Sequence, residues 1–196
     1  MTRTLLTASL WLAGLPAALP AGMITLHFEA LSQPGSGFVS AGALYQEDGF
    51  AISTDGAGLF APKSGHDVFF AGSTALSSRG ARSTVELVQS NGEIFDLMSI
   101  DLTERHTLVP SGTTSLTLIG HRADSSTVSQ TFTLDGVFGL ETFTLTGFND
   151  LLSVEWAQTP SEFVQFDNLL VNTNSTAAFA NPEPSSLALL GVGALG

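Results

Sequence analysis

The sequence contains no cysteine and very little positive charge. The lack of cysteine excludes disulfide bonds, thiolate metal sites and cysteine nucleophiles. Six Lys and Arg residues stand against 18 Asp and Glu residues, which gives a formal net charge of −12, and Lys63 is the only lysine. Such a chain has no cationic surface to neutralise phosphates, so we expect no nucleic acid partner. Its acidic balance instead suits attraction for hard cations such as Ca²⁺.

Signatures of common catalytic sites are also missing. There is no H-E-x-x-H zinc motif, no G-x-S-x-G nucleophile elbow and no phosphate-binding glycine loop. Residues 64–67 place a serine, a histidine and an aspartate together, but catalytic triads are assembled by the fold rather than by neighbours in sequence. We therefore expect a protein that is not an enzyme. No zinc-like spacing occurs among the four histidines, His27, His66, His106 and His121.

In the middle of the chain, apolar residues recur at every second position, as in strands with one face in a core. Turns rich in Gly, Pro, Asn and Asp separate these runs, and Ser and Thr fill the outward positions. The pattern predicts an all-β fold, an antiparallel β-sandwich of the jelly-roll type that resembles carbohydrate-binding modules. The inward positions are Ile24, Leu26, Phe28, Val85, Leu87, Leu116, Leu118, Phe132, Leu134, Phe143, Leu145, Val154, Trp156, Phe166, Leu169 and Val171.

The N-terminal residues 1–22 have the plan of a signal peptide. Arg3 gives a positive start, an apolar stretch follows, and small residues and prolines close the segment. A membrane anchor is the competing interpretation, but Pro16 and Pro20 interrupt the apolar run well before the roughly 20 residues that span a bilayer. We expect a signal helix that directs export and is then cleaved.

The C-terminal residues 181–196 carry a second targeting element. Pro182, Glu183 and Pro184 precede a short apolar run. This arrangement resembles the PEP-CTERM sorting signal of Gram-negative bacteria, in which a Pro-Glu-Pro triplet is followed by a hydrophobic helix and a basic cluster. The resemblance implies processing by an exosortase, a membrane-bound cysteine transpeptidase-like protease. It also implies transient membrane association through the termini and delivery to the cell envelope or the extracellular matrix.

The resemblance is incomplete at its end. The sequence stops at Gly196, before a full apolar span and before any Arg or Lys. We expect a truncated or degenerate signal, which lacks the positive anchor for stable insertion. The predicted organisation is a signal peptide at 1–22, a β-sandwich at 23–172, a linker at 173–180 and a short C-terminal hydrophobic sorting segment at 181–196.

Two carboxylates are the candidate metal ligands. Glu29 follows Phe28 on the first predicted strand, and Asp167 follows Phe166 on the last, each pointing away from its inward aromatic neighbour. Jelly-roll domains that resemble carbohydrate-binding modules often pair these two strands, which would bring Glu29 and Asp167 together. The site would then hold a structural Ca²⁺ with turn carbonyls as further ligands. The alternative is that both acids are solvated rim residues.

Residues 45–50, which resemble a recurrent run in PEP-CTERM proteins, add Glu47 and Asp48. These acids are either further ligands of the same cation or loop charges. Three functions follow from these observations. The first is a non-catalytic exported envelope or matrix protein that contributes to extracellular polymer or biofilm. The second is a carbohydrate-binding-module-like binder of extracellular polysaccharide, and the third is a small secreted hydrolase with two converging carboxylates.

Overall fold

The computed structural model describes residues 22–80, 82–104, 114–157 and 164–173. Within these ranges the chain forms thirteen strands and one 3-10 turn, Glu29–Leu31. The strands, numbered in chain order, are β1 Met23–Leu26, β2 Phe38–Gly42, β3 Leu44–Glu47, β4 Phe50–Thr54, β5 Leu59–Pro62, β6 Ser77–Ser78, β7 Thr84–Gln89, β8 Asp96–Glu104, β9 Ser115–Arg122, β10 Thr127–Thr133, β11 Glu141–Thr144, β12 Leu151–Ala157 and β13 Val164–Asn172.

The strands form three antiparallel sheets. A six-stranded sheet has the order β10-β9-β12-β7-β4-β3, a four-stranded sheet the order β1-β13-β8-β11, and a small sheet the order β2-β5-β6. Leu76, which comes just before β6 of the small sheet, forms an isolated antiparallel bridge with Phe166 of β13. Strands that are distant in the chain are thus neighbours in space, as in the predicted jelly roll. The all-β antiparallel sandwich is confirmed.

One hydrophobic core fills the space between the sheets. Of the residues predicted to point inward, all but Ile24 and Phe143 are buried, and these two are partly buried against the core. The centre contains an aromatic chain in which Phe166 contacts Trp156 at 4.9 Å and Phe28 at 5.8 Å between ring centroids, both edge-to-face. Such contacts add to the burial of large apolar area. Alternation in the sequence therefore identified about half of the core, and the buried residues of β4, β5 and β8 were not selected.

The first and last strands pair, as the jelly-roll resemblance implied. Strand β1 lies antiparallel to β13 along its whole length, from Met23 opposite Asn172 to Leu26 opposite Leu169. Strand β8 flanks the other side of β13. This order places the segment that follows β1 beside the middle of β13.

The prediction that Glu29 lies on the first strand is wrong. Strand β1 ends at Leu26, Phe28 adopts a left-handed conformation with φ 55°, and Glu29 begins the 3-10 turn. Phe28 is still fully buried, as predicted. The reversal at Phe28 directs the chain across the end of the sheet, because a positive φ is incompatible with a continuing strand.

Residues 1–21 of the predicted signal peptide, the linker from residue 174 onward and the sorting segment, with Pro182, Glu183 and Pro184, lie outside the described residues. His106 lies outside them as well. Within the described ranges there is no helix with the length and apolar character needed to cross a membrane.

Candidate functional site

The outer face of the small sheet carries a groove lined by aromatic and polar side chains. Strand β2 pairs with β5 so that Ser40 lies opposite Phe60 and Phe38 lies opposite Pro62. Because side chains alternate along a strand, Phe38 and Ser40 share the same face as Phe60. Phe38 is 36% exposed, and Leu59, on the other phase of β5, is buried in the core. The register of two short strands therefore creates the groove.

Four aromatic rings, those of Phe60, Phe38, His66 and Phe69, pack against one another beside this face and form the aromatic row. Phe38 lies edge-to-face on Phe60 at 5.0 Å and on Phe69 at 5.2 Å between ring centroids, and His66 packs against both Phe38 and Phe69 at 4.8 and 4.6 Å. All except Phe38 are partly buried. The row gives this face apolar area at a position where most outward side chains of the protein are Ser or Thr.

Backbone hydrogen bonds hold the row in place. The Lys63 N–H donates to the Gly37 carbonyl at 2.9 Å, and the Gly65 N–H donates to the Gly35 carbonyl at 3.0 Å. A Cβ atom on Gly65 would lie 3.0 Å from that same Gly35 oxygen, so the close approach needs glycine. The Gln165 side chain donates to the Phe69 carbonyl at 2.9 Å, which ties the far end of the row to β13.

A cavity of about 220 Å³ lies at the other end of the row. Its lining includes Phe38, Ser40, Phe60 and Arg79. The Arg79 guanidinium carbon lies 5.9 Å from the centre of the Phe60 ring, within range of a cation–π contact. An apolar wall beside a few convergent polar groups is the usual composition of a small-molecule site.

Reasoning from sequence missed this groove. Phe38, Phe60 and Phe69 are not among the positions that it selected. Phe28 and Phe166 are in the core, but Phe38, Phe60 and Phe69 are not fully buried. A signal was present in the alternation of Phe38 with Ser40, yet only the strand register shows that the rings meet.

The predicted carboxylate pair lies in an acidic pocket between the 3-10 turn, the segment at residues 73–74 and the middle of β13. The Glu29 carboxylate accepts hydrogen bonds from the Ser73 hydroxyl at 3.2 Å, the Thr74 hydroxyl at 3.2 Å and the Thr74 N–H at 3.4 Å. Asp167 lies directly opposite Asp101 in the pairing of β13 with β8. The structure thus brings Glu29 to the neighbourhood of Asp167, and it adds Asp101, which sequence reasoning did not select.

Asp167 is fully buried. Its Oδ1 accepts a hydrogen bond from the Asn168 N–H at 2.8 Å, whereas its Oδ2 has no partner. Burial raises the pKa of the Asp167 carboxyl to about 6, against the lowering effects of the Ser73 hydroxyl and the Asn168 N–H, and the charges of Asp101 and Glu29 raise it further. A buried carboxylate oxygen without a partner is costly and calls for a proton or a cation.

The interpretation of Asp167 as an outward rim residue is wrong. The ladder between β8 and β13 shifts register after Asp167, and Asn168 takes a positive φ of 46°. The shift breaks the strict in-and-out alternation that the sequence pattern assumed. Asn168 also donates from its side-chain amide to the Asp101 Oδ2 at 2.8 Å, which fixes that carboxylate beside the pocket.

Glu47 and Asp48, the further ligand candidates, do not act together. Asp48 lies in the two-residue turn between β3 and β4, where it and Gly49 both have positive φ, as in the commonest tight hairpins. The Glu47 Oε2 accepts the Phe28 N–H at 3.1 Å and the Tyr45 hydroxyl at 3.4 Å. Burial and the Glu47 charge raise the pKa of Tyr45 to about 12. Glu47 thus secures the reversal at Phe28.

The described histidines are engaged separately. His27 Nδ1 lies 3.4 Å from Glu47, and His121 Nε2 lies 3.3 Å from Glu155. His66 belongs to the aromatic row, and the Ser64 hydroxyl donates to the Gln33 carbonyl at 3.4 Å. The described contacts of residues 64–67 therefore serve packing and loop structure.

Comparison with known proteins gave matches among solved structures alone, since no family model and no curated protein matches the chain. A mutant of a family 29 carbohydrate-binding module is 11% identical over 78% of this chain and 91% of its own, with a TM-score of 0.44. Another mutant, complexed with mannohexaose, is 10% identical over 79% and 92%, with a TM-score of 0.41. The family 32 module of C. perfringens NanJ, in complex with galactose, is 10% identical over 65% and 98%, with a TM-score of 0.39. Such low identities and TM-scores do not indicate what this chain binds.

The buried Asp167 predicts a pH dependence of stability in calcium-free buffer. Its pKa of about 6 exceeds the ordinary 3.8, so the native state holds the proton more tightly than the unfolded state. The stabilising effect of that proton is full below about pH 4 and is lost as the pH rises through about 6. We expect Asp167→Asn to gain about 3 kcal/mol relative to the unmodified chain between those limits. Urea unfolding with EDTA at a series of pH values measures the difference.

The matched control is Asp67→Asn, which changes an exposed aspartate. Its stability relative to the unmodified chain should stay constant across the same pH range. A constant difference for Asp167→Asn as well would contradict the raised pKa.

Proposed function

We propose that this chain is a non-catalytic glycan-binding module. The observation that carries the proposal is the groove in which the exposed Phe38 ring, Phe60 and Arg79 converge with Ser40. A pyranose ring has an apolar face of C–H groups and a rim of hydroxyls. The C–H face packs on an aromatic ring, whose face carries partial negative charge, and the hydroxyls bond to polar groups beside it.

The lining of the groove favours a saccharide over a purely apolar ligand. The cavity is lined by the aromatic residues Phe38 and Phe60 and also by Arg79 and Ser40, which carry polar groups. Arg offers five N–H donors in a fixed fork, which suits neighbouring ring hydroxyls. The rings continue past Phe38 to Phe69, so the row extends beyond the cavity and favours an oligosaccharide over a single sugar.

Binding is tested with cellulohexaose, mannohexaose and galactose, which are ligands of modules that this chain is similar to. Isothermal titration should show saturable binding to at least one of the three. Phe38→Ala and Arg79→Ala should each weaken it about tenfold or more, because one removes the stacking surface and the other removes charged donors.

Leu152→Ala is the matched control, since Leu152 is a 45% exposed apolar residue on β12, outside the groove. Its affinity should equal that of the unmodified chain. Absence of binding to all three saccharides, or equal loss in Phe38→Ala and Leu152→Ala, would refute the groove as a glycan site.

We infer further that the acidic pocket binds a structural Ca²⁺ through Asp167 and Glu29. The support is the buried Oδ2 of Asp167, which has no hydrogen-bond partner, together with the charges of Asp101 and Glu29, which raise the pKa of the Asp167 carboxyl. Like charges placed directly opposite each other in a sheet are destabilising, as Asp101 and Asp167 are here. Ca²⁺ takes six to eight oxygen ligands and is suited to such a group. The ion would tie the 3-10 turn to β13.

Thermal unfolding with and without millimolar Ca²⁺ tests this site. A cation that binds the native state alone raises the midpoint by mass action, by about 3 kcal/mol in stability at a hundredfold excess over Kd. Asp167→Asn and Glu29→Gln should each reduce the rise, and the exposed-site variant Asp67→Asn should retain it in full. An undiminished rise in Asp167→Asn would exclude this pocket.

We also propose that the module is exported and sorted to the envelope by its terminal segments. The support is the signal-peptide plan of residues 1–22 and the Pro182-Glu183-Pro184 triplet before an apolar run. Sorting of a glycan binder to the cell surface or matrix would place the groove among extracellular polysaccharides.

Expression in a Gram-negative host with and without an exosortase tests the sorting. Mass spectrometry should find the chain shortened at its C-terminal end in the envelope or medium only when the exosortase is present. Glu183→Ala should abolish this shortening, and Asn174→Ala, a change in the predicted linker, should leave it unchanged. Identical masses with and without the exosortase would contradict the proposal.

A further inference from the structure

A second group of carboxylates lies at the end of β8, away from the residues of the acidic pocket. Glu104 is the last residue of β8, Asp135 lies in the loop after β10, and Glu141 begins β11. One oxygen of each carboxylate lies within 4.8 Å of the others. Asp135 and Glu141 are six residues apart, whereas Glu104 is distant in the chain, so the fold brings Glu104 to the other two.

The loop that carries Asp135 is fastened to β8 by hydrogen bonds. The Gly136 N–H donates to the Glu104 Oε1 at 2.9 Å, and the Gly139 N–H donates to the Thr103 hydroxyl at 3.1 Å. Within the loop, the Asp135 N–H donates to the Glu141 Oε1 at 3.3 Å. These contacts fix the positions of the three carboxylates relative to one another.

Glu104 is a buried carboxylate with an unsatisfied oxygen. It is only 3% exposed, and its Oε2 is buried without a hydrogen-bond partner. Among the described residues, no Lys or Arg forms an ion pair with Glu104, Asp135 or Glu141. A buried, unpaired carboxylate beside two others is strongly unfavourable unless a positive charge or a proton compensates for it.

The electrostatics agree with this crowding. Burial raises the pKa of the Glu141 carboxyl, and although the Asp135 N–H lowers it, the charges of Asp135 and Glu104 raise it again. The charges of Asp135 and Glu104 thus disfavour ionisation of Glu141. A cation among them would remove the repulsion and give the free Oε2 of Glu104 a partner.

We propose that Glu104, Asp135 and Glu141 bind a Ca²⁺ ion that locks the loop between β10 and β11 onto the end of β8. The donor set consists of oxygen atoms, without imidazole or thiolate, which selects a hard cation. Glu104 is buried, Glu141 is partly buried and Asp135 is exposed, so the protein closes one side of the site and water completes the other. Ca²⁺ accepts such irregular coordination more readily than Mg²⁺, which demands a near-ideal octahedron.

This site shares no residue with the acidic pocket or the aromatic groove, and its proposal does not depend on glycan binding. The ion would act by holding the loop at residues 134–140, whose Val137 is 66% exposed. The expected effect is local order in this loop.

The test uses the chain with Asp167→Asn, in which the acidic pocket is disabled, so that Ca²⁺ binding reports on the second site. After stripping with EDTA, isothermal titration with Ca²⁺ should show one binding event. Adding Glu141→Gln or Asp135→Asn should weaken it about tenfold or more. Both variants keep the buried Glu104 and its bond to Gly136, so they are expected to fold.

Glu86→Gln in the same background is the matched control, because Glu86 is an exposed acid on β7. It should bind Ca²⁺ as the background chain does. Hydrogen exchange gives a local measurement: Ca²⁺ should slow exchange at the Gly136 and Gly139 amides, and Glu141→Gln should abolish that effect. Lack of Ca²⁺ binding in the Asp167→Asn chain, equal binding in Glu141→Gln, or tighter binding of Mg²⁺ would overturn the proposal. None of these results would affect the aromatic groove, which is tested with saccharides.

Discussion

The antiparallel pairing of β1 with β13 holds the two ends of the domain together, and the acidic pocket depends on it. The ladder is extended by the Thr173 N–H, which donates to the Gly22 carbonyl at 2.9 Å. Because β1 ends beside the middle of β13, the reversal at Phe28 delivers Glu29 to the neighbourhood of Asp167. A chain whose ends were free would lose both the ladder and the pocket.

A second constraint is the burial of negative charge in a protein that has few cations. Asp167 and Glu104 are both buried, each has one oxygen without a partner, and both lie in the pair of strands β13 and β8. In most folds an arginine or lysine would compensate for such groups, but this sequence has six such residues in total. Among the described residues neither carboxylate forms an ion pair with a Lys or Arg, so a proton or a cation from solution would compensate for the charge.

The phenylalanines serve two different purposes. Phe28 and Phe166 pack with Trp156 in the core, where they stabilise the sandwich by burial. Phe38 and Phe60 lie on the outer face of a small sheet, where their area is available to a ligand. An exposed ring contributes less to stability than a buried ring does.

The sequence by itself determined the fold class and about half of the buried core, because the two-residue period of a strand is a local property that survives without tertiary information. It also selected Phe166 and Phe28 as inward residues and pointed to Glu29 and Asp167 as a pair. Only the tertiary structure decided that Asp167 is buried, since a register shift in the ladder is invisible in the pattern. The contacts of Phe38 with Phe60 and of Glu104 with Glu141 are visible only in the tertiary structure. Contacts between distant residues follow from strand order and register rather than from spacing along the chain.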